Sequence, residues 1–408
     1  MRWAWLFLVV PIFSAWGKEA TPSILYLTLW KNPAHAMRIH WHTPREEATL
    51  LAYRPKGEYL WQWKEGSHAH LLQSKVRVHT IELEDLEADT EYEFRLAEEV
   101  HRFRTLPFAL GEGVVRFAVG GDAYFYLDYF QQMNARIAAC DPAFVVVGGD
   151  IAYTCGWRGS LGLGSSATKR WHTFLKEWRR SMVAPDGRLI PLVPVVGNHD
   201  VCASTAKNPG SESLFYEIFA FPLAGRAFRV LDVGNYLSLF LLDTGHSTPV
   251  AGQQAQWLEQ NLSRRENTPY KIAAYHVAGY PSYYPYSQGT PLAIRREWGP
   301  LFERYHLQCA LEHHNHAYKR TYPLKAGKVD PDGLVYMGDG SWGVKPRGVS
   351  LREYLERVES KNAVCIVTLK EEGGEIEAMG LEGEKIDALA IFPASSSTPL
   401  EERRLLRR

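Results

Sequence analysis

The sequence predicts an all-β sandwich followed by a layered α/β domain, and three observations carry that prediction. From Ile24 to about Pro107 the chain is a series of short β-type runs separated by turn residues. From Val114 the rhythm changes to strand, loop, helix, the pattern of stacked α and β layers. Within that second part, Phe144-Val-Val-Val-Gly-Gly-Asp150-Ile-Ala-Tyr153 joins a short apolar run to a glycine turn and a carboxylate. The run is too short for a helix and fits a strand buried on both faces. Asp150 then emerges at the carboxyl end of the strand, where α/β folds bind ligands. Tyr153 follows closely enough for its phenol oxygen to serve the same place.

Composition narrows the function classes. At 408 residues, 46% hydrophobic and 23% charged, the chain suits a globular protein of two or three domains. Its formal net charge of +0 gives no electrostatic case for nucleic acid or for an acidic membrane surface. Arg2, the apolar run Trp3 to Phe13 and the small residues of Ala15-Trp16-Gly17 make residues 1–17 read as a secretory signal peptide. An uncleaved anchor is the alternative. No later run approaches the ~20 apolar residues of a membrane span, so the expectation is a secreted or periplasmic protein with no stable span. The cysteines (Cys140, Cys155, Cys202, Cys309, Cys365) are odd in number, which in an oxidising compartment leaves at least one free or paired between chains. None shows CxxC spacing, which argues against a cysteine zinc site. Cys155 and Cys202 each follow a candidate ligand loop, and a bridge there is one open pairing.

The sandwich elements come first. Ile24–Trp30, Met37–Trp41, Leu50–Tyr53 and Leu60–Trp63 are short runs rich in aromatic, leucine and β-branched residues. Around Leu86 a turn leads to Tyr92, which opens the alternating run Tyr92-Glu-Phe94-Arg-Leu96, and His101–Pro107 closes the domain. The leucine, the turn and Tyr92 resemble the tyrosine corner of a fibronectin type III-like sandwich. No catalytic residue types concentrate here, so residues 18–107 read as a packing or positioning module. In the α/β part, residues 112–392, strands are expected at Val114–Val119, Phe144–Val147, Leu192–Val196, Tyr236–Asp243, Lys271–Tyr275, Cys309–Leu311, Val335–Gly340 and Ala363–Leu369. Helical spacing marks Tyr129–Cys140, Lys169–Met182 and Gln253–Leu262, and Gly159–Ser166 is a Gly/Ser loop. Residues 393–408 read as a tail.

The polar residues that follow these strands share one chemistry. Asp122, Asp150 with Tyr153, Asn198 with His199 and Asp200, His276, and His314 with His316 are all oxygen or imidazole donors at strand ends. A single catalytic zinc takes three protein ligands, so this set suits two neighbouring ions with a shared carboxylate. Two such ions clamp a phosphate and make a bound water nucleophilic near neutral pH. His314 and His316, two apart, share a face if their segment is extended. Singly, each motif is as well explained by a turn or a packed histidine. Their occurrence in order, each after an apolar strand, favours the metal reading.

These blocks, Gly121-Asp122, Gly149-Asp150-x-x-Tyr153, Gly197-Asn198-His199-Asp200, Ala274-Tyr-His276 and His314-x-His316-x-Tyr318, resemble those of the purple acid phosphatases. That family is a branch of the calcineurin-like metallophosphoesterases, and its larger members also carry an N-terminal fibronectin-like domain. The resemblance implies an αββα-type metallophosphoesterase domain. It further implies Fe(III) on Asp122, Tyr153 and His316, a divalent ion (Fe, Zn or Mn) on Asn198, His276 and His314, and Asp150 bridging. Most metallophosphoesterases have Asp-x-His in the first block. Here Asp122-Ala-Tyr124 stands instead, and Tyr153 supplies the branch's tyrosine. The implied chemistry is acid phosphatase-like: a metal-bound hydroxide attacks the phosphorus of a small phosphomonoester. His199 would contact phosphate or protonate the leaving group, with Asp200 orienting it.

The chain departs from the family pattern at His313, where a glycine is usual, and at Lys319, where glutamate is common. Plant-type enzymes also carry substrate-facing histidines in the region that here reads Tyr280-Pro-Ser-Tyr-Tyr-Pro-Tyr286. Tyrosines are poorer acids, which bears on the pH optimum and the preferred ester. A phosphodiesterase or nucleotide pyrophosphatase on the same site is the alternative, and a non-catalytic binding protein a further one. Family members with the sandwich domain are often dimers, which admits a homodimer, although no stretch of the sequence marks an interface.

Overall fold

Alternation of apolar and polar side chains builds the N-terminal layers. The computed structural model describes residues 22–71, 74–155, 165–201, 214–222, 226–338, 340–394 and 401. In it Leu25–Thr28, Met37–Thr43, Arg77–Leu83 and Ser67–His70 pair side by side, facing a sheet of Gln62–Glu65, Leu50–Pro55, Glu91–Leu96 and Glu99–Arg104. Tyr92, Phe94 and Leu96 point inward from one strand of the second sheet and join Leu27, Ile39, Trp41 and Ile81 in the core. The Tyr92 hydroxyl accepts the Glu87 N–H at 2.9 Å, closing the turn as a tyrosine corner does.

The first sheet does not stop at the domain boundary. Thr28 pairs in parallel with Leu192. The sheet therefore continues through Leu192–Val195, Val145–Gly148, Val115–Gly120, Ala363–Leu369, Gly374–Gly380 and Lys385–Ile391, ten strands in all. A second sheet runs Arg229–Val233, Leu237–Leu242, Tyr270–Val277, Cys309–His313, Tyr336–Gly338, Tyr318–Thr321, Leu355–Glu359. The two pack face to face through Phe117, Val119, Val146 and Val193 on one side and Leu239, Leu241, Ile272 and Leu311 on the other.

Helices close both outer faces. Leu127–Ala139 and Ser165–Ser181 lay Phe130, Ile137, Trp171, Phe174 and Trp178 on Ala118, Val145 and Val147. Gln253–Ser263, Gly289–Glu297 and Gly299–Arg304 lay Leu258, Leu262, Ile294, Trp298 and Phe302 on Phe240, Leu242 and Tyr275. An N-terminal β-rich domain is thus followed by a helix–sheet–sheet–helix domain. The central strands of both sheets run parallel: Val145–Gly148 beside its two neighbours, and Tyr270–Val277 beside Cys309–His313. Their carboxyl ends therefore share an edge, which gathers the ligand candidates.

The signal-peptide reading, most of the Gly/Ser loop, Cys202 and nearly all of the tail lie outside the described residues. Among the described residues no helix is long and apolar enough to cross a membrane. Cys155 is disulfide-bonded, while Cys140 and Cys365 are free.

Candidate metal centre

Three of the loops converge on one triangle of donor atoms. The Tyr153 hydroxyl donates to Asp122 Oδ1 at 2.7 Å and lies 3.2 Å from His316 Nε2, which is 2.9 Å from the same Oδ1. A second cluster stands beside it. His276 Nε2 is 3.1 Å from Asn198 Oδ1, 3.1 Å from His314 Nδ1 and 3.2 Å from Asp150 Oδ2. Ligands about 2.1 Å from a common ion sit about 3 Å from one another, so both clusters have the spacing of a coordination shell. Asp150 Oδ1 accepts the His199 N–H at 2.7 Å, whereas its Oδ2 is buried without a hydrogen-bond partner. A bare carboxylate oxygen in the interior is costly unless a cation completes it. The residues fit a metal pair.

Electrostatics point the same way. Burial raises the Asp150 carboxyl, but the His276, His199 and His314 imidazoles outweigh this and hold it far below the usual carboxylate range. The Tyr153 phenol is pushed well up, by burial first and then by the Asp122 and Asp150 carboxylates. A phenolate there needs added positive charge, which a metal cation would supply. The His276 ring is fixed from behind, its Nδ1 lying 3.0 Å from the Gly148 carbonyl, the usual outer support of a metal-ligating histidine.

The backbone departs from expectation in one respect. Asp122, Asp150, Tyr153, His314 and His316 have φ of 57, 52, 52, 74 and 58°. His314 and His316 are therefore not on an extended strand. Each turns in the left-handed region, so they reach different clusters by twisting rather than by sharing a face. Non-glycine residues pay for that conformation, and such strain concentrates at functional sites.

Asp200 also differs from its expected role. Its carboxylate accepts the Ile151 N–H at 2.8 Å and the Gly197 N–H at 2.9 Å, tying the second ligand loop to the third. It does not orient the His199 ring. That ring stacks on Tyr153 at 4.7 Å, and its Nδ1 meets the Cys155 carbonyl. A carbonyl only accepts, so Nδ1 carries the proton and Nε2 is left free, 3.8 Å from Asp150.

His313 fills a slot between two glycine turns. Its ring lies where a Cβ on Gly148 would fall, and a Cβ on Gly121 would stand 2.7 Å from its Cγ. Neither ring nitrogen has a partner, and burial lowers its pKa to about 3, so it packs as a neutral ring. Gly148→Ala should therefore overpack the site, lowering stability by about 1–3 kcal/mol. Adding His313→Gly should restore part of the loss in thermal unfolding. No loss in the single variant would contradict this packing.

Two nearby groups, His246 and Arg347, escaped the sequence reading, while Tyr284 lies in the tyrosine stretch it singled out. His246, on the loop after Leu237–Leu242, has its ring 5.7 Å from that of His276. Its signal was present, since Asp243-Thr-Gly-His246 is one more polar loop after an apolar strand. Tyr284 stacks on His314 at 4.7 Å, and Arg347 binds the Tyr284 hydroxyl at 2.8 Å. Tyr280, by contrast, packs on Tyr336 and Tyr354 away from the ligands.

Hard oxygen and imidazole donors in adjoining clusters, at the ligand edge of a double sheet, equip a metal-dependent phosphoester hydrolase. Family models agree: the calcineurin-like phosphoesterase model matches residues 115–318, and that of the purple acid phosphatase N-terminal domain matches residues 22–106. The chain belongs to the purple acid phosphatase branch of the calcineurin-like phosphoesterases. It is similar to purple acid phosphatase 18 of Arabidopsis thaliana, 26% identical over 74% of this chain and 68% of that one. An uncharacterized protein of Mycobacterium tuberculosis is 22% identical over 76% of this chain and 64% of its own length. The chain thus spans about two thirds of these relatives. Among solved structures, purple acid phosphatase PPD1 from yellow lupin (Lupinus luteus) seeds matches with a TM-score of 0.73 at 14% identity, covering 90% of this chain and 74% of that one. PhoD matches with a TM-score of 0.65 at 13% identity, covering 96% and 98%.

Proposed function

We propose that the protein is an exported phosphatase that hydrolyses phosphomonoesters. The centre would pair Fe(III), held by Asp122, Tyr153 and His316, with a divalent ion (Fe, Zn or Mn) held by Asn198, His276 and His314. The observation that carries this reading is the buried, unpartnered Oδ2 of Asp150 beside these donors. When bound, the two ions supply an activated water and offset the charge that develops on the phosphoryl group. The chain's own residues do the rest. His199, with its proton held on Nδ1, presents Nε2 to the cleft, where it can bind phosphate or, once protonated, give a proton to the leaving oxygen. Asp200 keeps the two ligand loops in register through backbone amides.

The test is a visible absorption spectrum with metal analysis on the same sample. About two metals per chain with a broad band in the visible support the Fe(III)–tyrosinate assignment. Tyr153→Phe should then remove the colour and leave part of the activity. Colour that survives the change would refute the ligand assignment, and a chain that takes up no metal would refute the function. For export, the mature N-terminus is expected at Lys18, after residues 1–17, which intact mass will show.

A further inference from the structure

The loop that follows Tyr336–Gly338 brings a cation to the centre that none of the roles above uses. Arg347 donates from Nη1 to the Tyr284 hydroxyl at 2.8 Å and to the His314 carbonyl at 3.4 Å, and its backbone N–H donates to the His316 carbonyl at 2.8 Å. Its guanidinium carbon lies 4.9 and 5.1 Å from the centroids of the Tyr283 and Tyr284 rings. Tyr284 in turn stacks on the ligand His314, with 19° between the planes. One phenol ring thus separates the guanidinium from the imidazole of a candidate ligand. Its charge also reaches Tyr153, where it partly offsets the burial that raises the phenol.

The neighbours of this half-buried cation are phenols and carbonyls. Among the described residues no carboxylate lies within ion-pair distance of it. A guanidinium carries five N–H donors in a planar fork, and the described residues occupy only Nη1. The free edge matches the paired oxygens of a phosphoryl group. Lys would give a point charge at the same place, but not the fork.

We propose that Arg347, braced by Tyr284, binds the terminal phosphoryl oxygens of the substrate and makes this centre select dianionic phosphomonoesters over diesters. The proposal rests on the phosphatase reading above. A monoester presents two charges and unsubstituted oxygens to the fork. A diester presents one charge and replaces one of those oxygens by an ester group, so the same cation attracts it less.

The test uses the metal-loaded full chain with inorganic phosphate as the probe. Arg347→Met should weaken phosphate inhibition by about tenfold or more at unchanged metal content, and reduce kcat/KM for a monoester more than for a diester. Arg347→Lys should recover part of the loss. Unchanged phosphate inhibition in Arg347→Met would overturn the proposal and leave Arg347 as a brace for the His314 loop. An equal loss on both esters would overturn the selection. Wild-type protein provides a check that needs no variant: phosphate should protect Arg347 from an arginine-specific dicarbonyl, read by peptide mass. If wild type hydrolyses esters without such protection, the Arg347 assignment alone fails. If phosphate protects but no ester is hydrolysed, the phosphatase reading alone fails.

Discussion

Asp150→Ala should abolish metal retention and hydrolysis together, lowering the rate by about 10³-fold or more, a loss typical of removing charge stabilisation at a phosphoryl-transfer site. Asp150 is the carboxylate assigned above to bridge the two ions. Its Oδ2 lies 3.2 Å from His276 Nε2 and has no hydrogen-bond partner, and its charge acts on Tyr153 as well. Without it, His276 loses its anionic neighbour, and on the bridging assignment the two ions lose their shared ligand. Asp150→Asn keeps the acceptor for the His199 N–H while removing the charge, so it separates loop collapse from metal loss. Elemental analysis and steady-state rates decide the matter. An alanine variant that holds two metals per chain and works within tenfold of wild type would sink the bridging assignment.

Much of this site is legible in the sequence because its ligands sit at strand ends, and buried parallel strands announce themselves as apolar runs. Val145–Gly148 and Leu192–Val195 are fully buried, and each leads into a tight turn and a donor. The shape of the turns is not legible. Asp and His tolerate the left-handed φ seen at Asp122, Asp150, His314 and His316 better than most residues, and Tyr153 shares it, but residue type alone does not mark which positions adopt it. Asp200 illustrates the same limit. Its place beside His199 in the chain suggests a partnership, but its carboxylate is consumed by the amides of Ile151 and Gly197. Arg347 leaves no local trace, since it follows no apolar strand directly and meets Tyr284 across 63 residues of chain. The hairpin Gly374–Gly380 and Lys385–Ile391, which extends the first sheet, is not among the expected strands, although Ala388-Leu-Ala-Ile391 is an apolar run, because no donor loop follows it.

The fold should weaken as pH falls from about 6.5 toward 4, through histidines remote from the metal centre. His40, His42 and His79, on the strands Met37–Thr43 and Arg77–Leu83, are buried, and His172 meets His42 from the helix Ser165–Ser181 at 3.4 Å. Their contacts favour neutral rings. His40 lies between the Thr28 and Thr80 hydroxyls, His79 between those of Thr43 and Thr49, and Tyr26 bonds His42. The charged groups facing them are mostly cationic: Arg38 at His40, Arg77 at His79 and Lys176 at His172, with Glu47 the opposing anion, 3.9 Å from His79. Burial first, then these neighbours, lowers His79 and His172 to about 4 and places His40 and His42 well below the ordinary value. The unfolded chain therefore binds more protons than the folded one below about pH 6.5. Stability is full above that pH and drains as pH falls toward 4, by up to about 1.4 kcal/mol per pH unit for each fully buried ring. Urea unfolding of the metal-loaded protein from pH 7 to 4.5 should show this slope. His172→Gln should flatten it by up to one proton, a difference that titration at the metal centre does not share. Equal slopes in the two proteins would remove His172 from the account. With His172 in it, the joint between the N-terminal sheet and the helix Ser165–Ser181 limits how acidic a working range the enzyme tolerates, whatever its active site prefers.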